Sequence, residues 1–211
     1  MQYSTFAAID IGSYDVILEI FEISKKQGIR SVDKICHRME LGKDTYTLGK
    51  IRPEMEEELC RVLADFVRIM EGYRVDAYRA MASSAISEAA NSLYVLGKIR
   101  QLTGLSVTVL SNSEQRFLGY KALAAMEDNF NKVIEKGTAI LDLDGGSFQI
   151  SLFDKDALVT TQNIRMGSLR VRERLAGIQS ETEHYEEMVE ELIWNEVSSF
   201  KKMYLKDRKI E

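Results

Sequence analysis

Proline is almost absent: Pro53 is the only one in 211 residues, so stiff proline-rich linkers are excluded. Two cysteines, Cys36 and Cys60, form neither a disulfide framework nor a CxxC pair and read as reduced thiols. The two histidines, His37 and His184, stand alone without metal-ligand spacing. No run of about 18 apolar residues occurs, so no membrane span is expected. Met1-Gln2-Tyr3-Ser4-Thr5 lacks the basic start of a signal peptide, and a cytoplasmic protein is expected. A basic excess is missing too. The net charge of −5 argues against non-specific nucleic-acid binding. A polyanionic ligand stays open, because backbone amides, a divalent cation and a few local cations could hold it.

What is present is ordinary globular composition, 45% hydrophobic and 29% charged. Phe6–Asp10, Val16–Ile23 and Ile29–Leu41 read as three antiparallel strands joined at Gly12-Ser13 and Lys25–Gly28. Pro53 suits a first helical position. Met55, Leu59, Val62, Phe66 and Met70 follow at helical spacing, and Gly72 suits the stop. Val75–Met81 reads as a strand. A helix is expected from about Ser83-Ser84 to Gly104, with Ile86, Ala89/Ala90, Leu93 and Leu96 on one face. Ser106–Leu110 reads as a strand and Asn112–Met126 as a helix.

Then the opening pattern returns. Thr138–Asp142, Phe148–Phe153 and Ala157–Ile164 read as three more strands, with Gly145-Gly146 in the first turn. Ala8-Ile9-Asp10-Ile11-Gly12-Ser13 and Ile140-Leu141-Asp142-Leu143-Asp144-Gly145-Gly146-Ser147 share one plan: strand, aspartate, glycine turn, serine, strand. Such repetition points to two similar domains facing one another, set at 1–125 and 126–211. Ser180–Lys206 reads as a long amphipathic helix, with capping-box spacing at Ser180 and Glu183 and a packing stripe through Tyr185, Met188/Val189, Leu192, Glu196/Val197, Phe200 and Met203/Tyr204. A second domain matching the first would need another strand and helix, so the second repeat reads as incomplete. The fold class is α/β, ribonuclease-H-like or actin-like, with βββαβαβα domains.

Glycine hairpins of this kind suit phosphate. Glycine lets backbone approach a ligand closely, and successive N–H groups form an anion-binding concavity. A carboxylate just before the turn can hold a hydrated Mg²⁺ against phosphate oxygens. Each residue also has a plain structural role available. Asp10 and Asp142 could be strand-end turn residues, and Gly12, Ser13, Gly145, Gly146 and Ser147 would serve any tight hairpin. Ser111-x-x-Glu114 is also a capping box. Tyr14 and Phe148 occupy matching loop positions and are expected to pack or shield the loops.

Four segments in order, Asp10–Ser13, Ala82–Ile86, Val109–Glu114 and Leu141–Ser147, resemble the motifs of the Ppx/GppA phosphatases. The resemblance implies Glu114 as the catalytic base, Gly12, Ser13, Gly145, Gly146 and Ser147 as phosphate-binding residues, and Asp10 and Asp142 as Mg²⁺ ligands. It also implies polyphosphate or a phosphorylated guanosine nucleotide as partner, with homodimerisation open and neither nucleic acid nor membrane expected. The sequence departs from the family pattern. Tyr14 and Asp15 replace an Asn-Ser pair, and Ile17 stands where a phosphate-binding cation would be. Ser87 replaces an arginine, Asp144 a glycine, and Gln149 an acidic residue. Losing cations weakens phosphate binding, where charge-assisted contacts are the strong ones. The expected activity is hydrolysis of terminal phosphoanhydride bonds. The rivals are a degenerate module that binds without turnover and a sugar- or acetate-kinase-like ATPase.

Overall fold

The computed structural model describes residues 3–126, 130–176 and 184–205. The chain divides into two compact units, Met1–Ser111 and Asn112–Glu211.

The first unit opens with three strands: β1 (Ser4–Ile11), β2 (Asp15–Ser24) and β3 (Gly28–Arg38). A short helix α1 (Leu41–Leu48) and a long helix α2 (Pro53–Gly72) follow. Then come β4 (Ala77–Ala82), α3 (Ser84–Ser87), α4 (Ser92–Thr103) and β5 (Val107–Val109). The sheet order is β3-β2-β1-β4-β5. The β1–β2–β3 pairs are antiparallel, and β4 and β5 run parallel to β1. Period-two alternation buries Ile9, Ile11, Val16 and Leu18 on one face. There they meet Leu59, Leu63 and Phe66 of α2 and Val95 and Ile99 of α4. Each such side chain removed from water contributes about 1.5–3 kcal/mol. The alternate residues, Asp10 among them, point to the opposite face.

Two readings of this unit need correction. The third strand does not run to Leu41. The chain turns at Glu40, which is left-handed at φ 46°, and α1 begins at once. Gly49, left-handed at φ 71°, ends it. The helix expected from Ser83 to Gly104 is broken in two. Asn91 sits in the break, where its Nδ2 donates to Ile51 O and Glu56 Oε1, both at 2.8 Å, and its Oδ1 accepts from Ile51 N at 3.0 Å. A side chain that bonds backbone in this way competes with a helix. Leu93, expected on the packed face, is 87% exposed as a result.

The second unit contains α5 (Asn112–Met126), α6 (Phe130–Glu135), β6 (Thr138–Leu143), β7 (Phe148–Asp154), β8 (Ala157–Ile164), α7 (Ser168–Leu175) and α8 (Tyr185–Tyr204). The sequence reading set a boundary after 125. In this division α5 falls wholly in the second unit, where its side chains reach β7 and β8. Strands β6, β7 and β8 form an antiparallel sheet in that order. Phe148, Ile150 and Leu152 face α7 and α8, with Phe200 at the centre of the cluster. The stripe predicted on α8 packs there through Tyr185, Met188, Val189, Leu192 and Val197, while Met203 is exposed. The Ser180–Glu183 capping box lies outside the described residues. Helices α6 and α7 had no counterpart in the sequence reading. The segment Ser168–Leu175 carries Arg170, Arg172 and Arg174 and shows only Leu169, Val171 and Leu175 to the core. Among the described residues no helix is long and apolar enough to cross a membrane.

Candidate functional site

The two hairpins share one geometry. Asp10 pairs with Ile17 across the first and Asp142 with Gln149 across the second, so each aspartate faces a residue seven positions on. The turn bond is the same in both: Gly12 N–H to Asp15 O at 3.0 Å, and Asp144 N–H to Ser147 O at 3.0 Å. This register equates Gly12 with Asp144, Tyr14 with Gly146 and Asp15 with Ser147. It corrects one sequence pairing. Phe148 matches Val16 rather than Tyr14, and it is a core residue at 9% exposure.

Each hairpin leans on the short helix that follows its third strand. In the first unit, Gly42 N–H of α1 donates to Ser13 O at 2.8 Å, and Met39 and Glu40 N–H donate to Tyr14 O. In the second, Ser168 N–H donates to Asp144 O, and Leu169 and Arg170 N–H donate to Gly145 O. Arg170 Nε adds a bond to Gly146 O at 2.9 Å. A trans peptide points its C=O and N–H in opposite directions. Turning the carbonyls of 13 and 14 toward α1 therefore turns the N–H groups of Tyr14 and Asp15 the other way. The carbonyls of 145 and 146 do the same for Gly146 and Ser147. The equivalent amides in both loops are thus set by α1 and α7, the helices the sequence reading missed.

The side chains differ. Ser13 is fully buried, and its Oγ lies 2.7 Å from Tyr46 Oη and 3.3 Å from Ser84 Oγ, with Tyr46 and Ser84 themselves 2.8 Å apart. The Ser13 hydroxyl is therefore engaged inside the fold. In the second loop Gly145 and Gly146 are buried, and Asn163 Nδ2 donates to Ser147 Oγ at 3.1 Å. Asp144 Oδ1 accepts the Gly145 N–H at 2.6 Å. Gly167 has an extended backbone, yet a Cβ there would lie 2.4 Å from Asp144 O, Gly145 C and Ser147 N.

Asp10 and Asp142 are both exposed, on the sheet faces turned away from α2 and from α8 respectively. In the second unit Asp142, Gln149 and Asn163 form one row across the sheet, and Ser151 and Thr161 lie in the next row on the same face. Helix α5 is seated on that face. Arg116 Nη1 donates to Thr161 Oγ1 at 3.0 Å, and Tyr120 donates its hydroxyl to Ser151 Oγ. Glu114 occupies the first turn of α5 and is exposed. Gln149 is 4% exposed, and its Oε1 is a buried oxygen without a partner among the described residues. In the first unit the buried Ser83 Oγ, at the end of β4, is in the same condition. Buried polar atoms normally find partners, so both are places where a ligand or water would bond.

The profile of the Ppx/GppA phosphatase family matches residues 19–210. The chain belongs to the Ppx/GppA phosphatase family. It is 25% identical over 144 residues to Exopolyphosphatase 1 of Mycobacterium leprae, covering 68% of this chain and 41% of that protein. It is 21% identical over 174 residues to the bifunctional 3-dehydroquinate synthase/phosphatase of Fusobacterium nucleatum, covering 80% of this chain and 26% of that one. The crystal structure of the Aquifex aeolicus Ppx/GppA family member superposes with a TM-score of 0.70 at 23% identity, over 94% of this chain and 63% of that chain. The chain thus spans less than two thirds of each of these relatives. The structural likeness shows the shared actin-like fold.

Within the Ppx/GppA frame, several departures gain a physical description. Asp144 stands at the position of Gly12 in the shared turn, and its φ is not left-handed, so the backbone accepts an aspartate there. The cation missing at Ile17 has a neighbour in space. Arg38 lies directly across from Asp15, its guanidinium 4.7 Å over the Tyr14 ring and its Nη2 2.8 Å from Tyr14 Oη. No sequence motif flags it, because β3 lies some twenty residues beyond the loop. Cys36, beside Asp15 with its thiol 3.4 Å from Asp15 Oδ2, is held above the usual thiol range by desolvation first and by that bond second. It is a poor nucleophile. The donors suit Mg²⁺. Among the described residues no three His, Cys, Asp or Glu side chains gather, but Mg²⁺ keeps most of its water and takes only one or two carboxylates. Asp10 and Asp142 each offer one.

Proposed function

We propose that this chain carries the phosphate-handling elements of a phosphoanhydride hydrolase that releases terminal phosphate from inorganic polyphosphate or guanosine pentaphosphate. The observation that carries this reading is the seating of α5. The helix bearing Glu114 is fixed by Arg116 and Tyr120 on the sheet face that presents Asp142 and the orphaned, buried Gln149. In this reading a base on α5, a carboxylate for a metal and an amide that can orient water serve one surface.

In this reading Glu114 takes the proton of the attacking water. Gln149 holds that water by a hydrogen bond. Asp10 in its unit and Asp142 in the other would each offer a carboxylate to Mg²⁺, which would supply positive charge against the transferred group. The loop amides, set by α1 and α7 in the two hairpins, bond phosphate oxygens. Gly12, Gly145 and Gly146 let the backbone come close. Ser147 adds a hydroxyl, whereas Ser13 acts through its backbone because its hydroxyl is buried.

A second reading is a family member that binds phosphate without turnover. It is favoured by one observation: the Asp144 carboxylate already occupies the Gly145 N–H and places negative charge in the loop. Colorimetric phosphate release separates the two. Wild-type protein is expected to release phosphate from polyphosphate with added Mg²⁺, and Glu114→Gln to lose about a hundredfold in rate. Equal rates in both proteins would remove Glu114 as the base. Binding by calorimetry without release would select the second reading.

A further inference from the structure

The first unit carries a charged row beyond Asp10. Paired residues in a sheet share a face, as do residues two apart on one strand. Asp10 pairs with Ile17, Ile17 with Cys36, and Asp15 with Arg38. Asp10, Asp15, Cys36 and Arg38 therefore all lie on the face turned away from the α2 core, at the hairpin end of the sheet. Strands β1 and β3 stand two strand spacings apart, about 10 Å. That is farther than a single phosphate group reaches. Arg38 is 64% exposed at its side chain. Its guanidinium is steadied from below by the Tyr14 ring and from the side by Tyr14 Oη, so it is held at the loop apex rather than swinging freely. It also bonds Glu40 Oε1 at 2.9 Å, and a surface ion pair of this kind contributes little against a multivalent anion.

We propose that Arg38 is a substrate-binding residue for extended phosphate chains, contacting phosphoryl groups several units away from the one held near Asp10. It supplies in space a cation that the loop sequence lacks at Ile17, and it makes the first unit selective for long chains over pyrophosphate. The planar fork of arginine suits two oxygens of a phosphate chain at once. This inference rests on the phosphoanhydride reading above, and the experiment separates the two.

The test compares long-chain polyphosphate with pyrophosphate, by calorimetry and by steady-state phosphate release at fixed ionic strength. Arg38→Met is expected to weaken long-chain binding about tenfold. The loss falls in KM with kcat unchanged, and pyrophosphate binding does not change. Glu40→Gln removes the competing carboxylate and is expected to tighten long-chain binding about threefold, an effect of opposite sign that a purely structural role cannot produce. It also serves if Arg38→Met fails to fold. Wild-type protein that binds long chains while both variants leave that binding unchanged would overturn the role of Arg38 and leave the hydrolase reading intact. Equal losses for both ligands would also overturn it. Wild-type protein that neither binds nor cleaves either compound would overturn the hydrolase reading, and this inference with it.

Discussion

The two hairpins solve one problem with different materials. Both place an aspartate opposite a residue seven positions later and close the turn with a 3.0 Å bond at the same step. Both receive backbone bonds from the segment after their third strand, and the first adds a buried side-chain brace. Its serine is locked to Tyr46 and Ser84, and Tyr14 at its apex meets Arg38 of β3. The second has side-chain bonds from Arg170 and Asn163 and adds a tight backbone contact. Gly145 and Gly146 are buried, and Gly167 presses against them with no room for a methyl group. The same turn therefore imposes different demands on sequence. The first loop carries Ser13 and Tyr14 at its apex, whereas the second has no room for a Cβ at Gly167 beside it.

The sharpest way to break this comparison is alanine at the bracing glycine of each. At Gly167 a Cβ would meet three backbone atoms at 2.4 Å, none of which can swing aside as a side-chain end could. Gly167→Ala is expected to cost about 3 kcal/mol in urea unfolding. Gly12→Ala meets one backbone oxygen at 3.0 Å, and is expected to cost about 1 kcal/mol. Equal midpoints for the two variants would show that the braces do not differ.

A smaller effect separates the side-chain braces. Tyr46→Phe removes one corner of a buried hydroxyl triangle and leaves Ser13 and Ser84 short of a partner. The expected cost is about 1–2 kcal/mol. Ser147→Ala removes only the less buried bond to Asn163, and about 0.5 kcal/mol is expected. A Tyr46→Phe protein as stable as wild type would show that the triangle is incidental to the first loop.

Much of this architecture was readable because its signals are local. An apolar run marked β1, alternation marked β2, and the return of the opening pattern marked β6, β7 and β8. The three- and four-residue spacing from Met55 to Met70 marked α2. The aspartate-glycine-serine echo marked both hairpins. What escaped was short or non-local. Helices α1 and α7 are eight residues each, too brief for periodicity to stand out, and α7 is masked by three arginines. The split at Asn91 depends on bonds to Ile51 and Glu56, some 35–40 residues away. Arg38 reaches the first loop only because the β2–β3 register brings it opposite Asp15. The site departures at Asp144 and Gln149 were visible as letters. Their physical consequences, a capped amide and an orphaned oxygen, depended on the folded turn.

The finest test concerns Asp144, where the two hairpins differ by one side chain at the same turn position. Its carboxylate acts on the loop in two ways. It accepts the Gly145 N–H at 2.6 Å, removing that donor from any phosphate, and it repels an anion through space. Asp144→Gly abolishes both effects and recreates the glycine found at position 12. Asp144→Asn abolishes the charge but keeps an oxygen that can accept the same bond. If charge dominates, both variants tighten polyphosphate binding about fivefold, and the gain shrinks as salt is raised. If the occupied amide dominates, only Asp144→Gly tightens binding, and the gain persists in salt. Both variants should be less stable by about 1 kcal/mol or less, since each weakens a charge-assisted bond. Calorimetry at two ionic strengths distinguishes these cases. Unchanged affinity in both variants would mean that the second loop does not face phosphate, and that the likeness between the hairpins ends at their backbone.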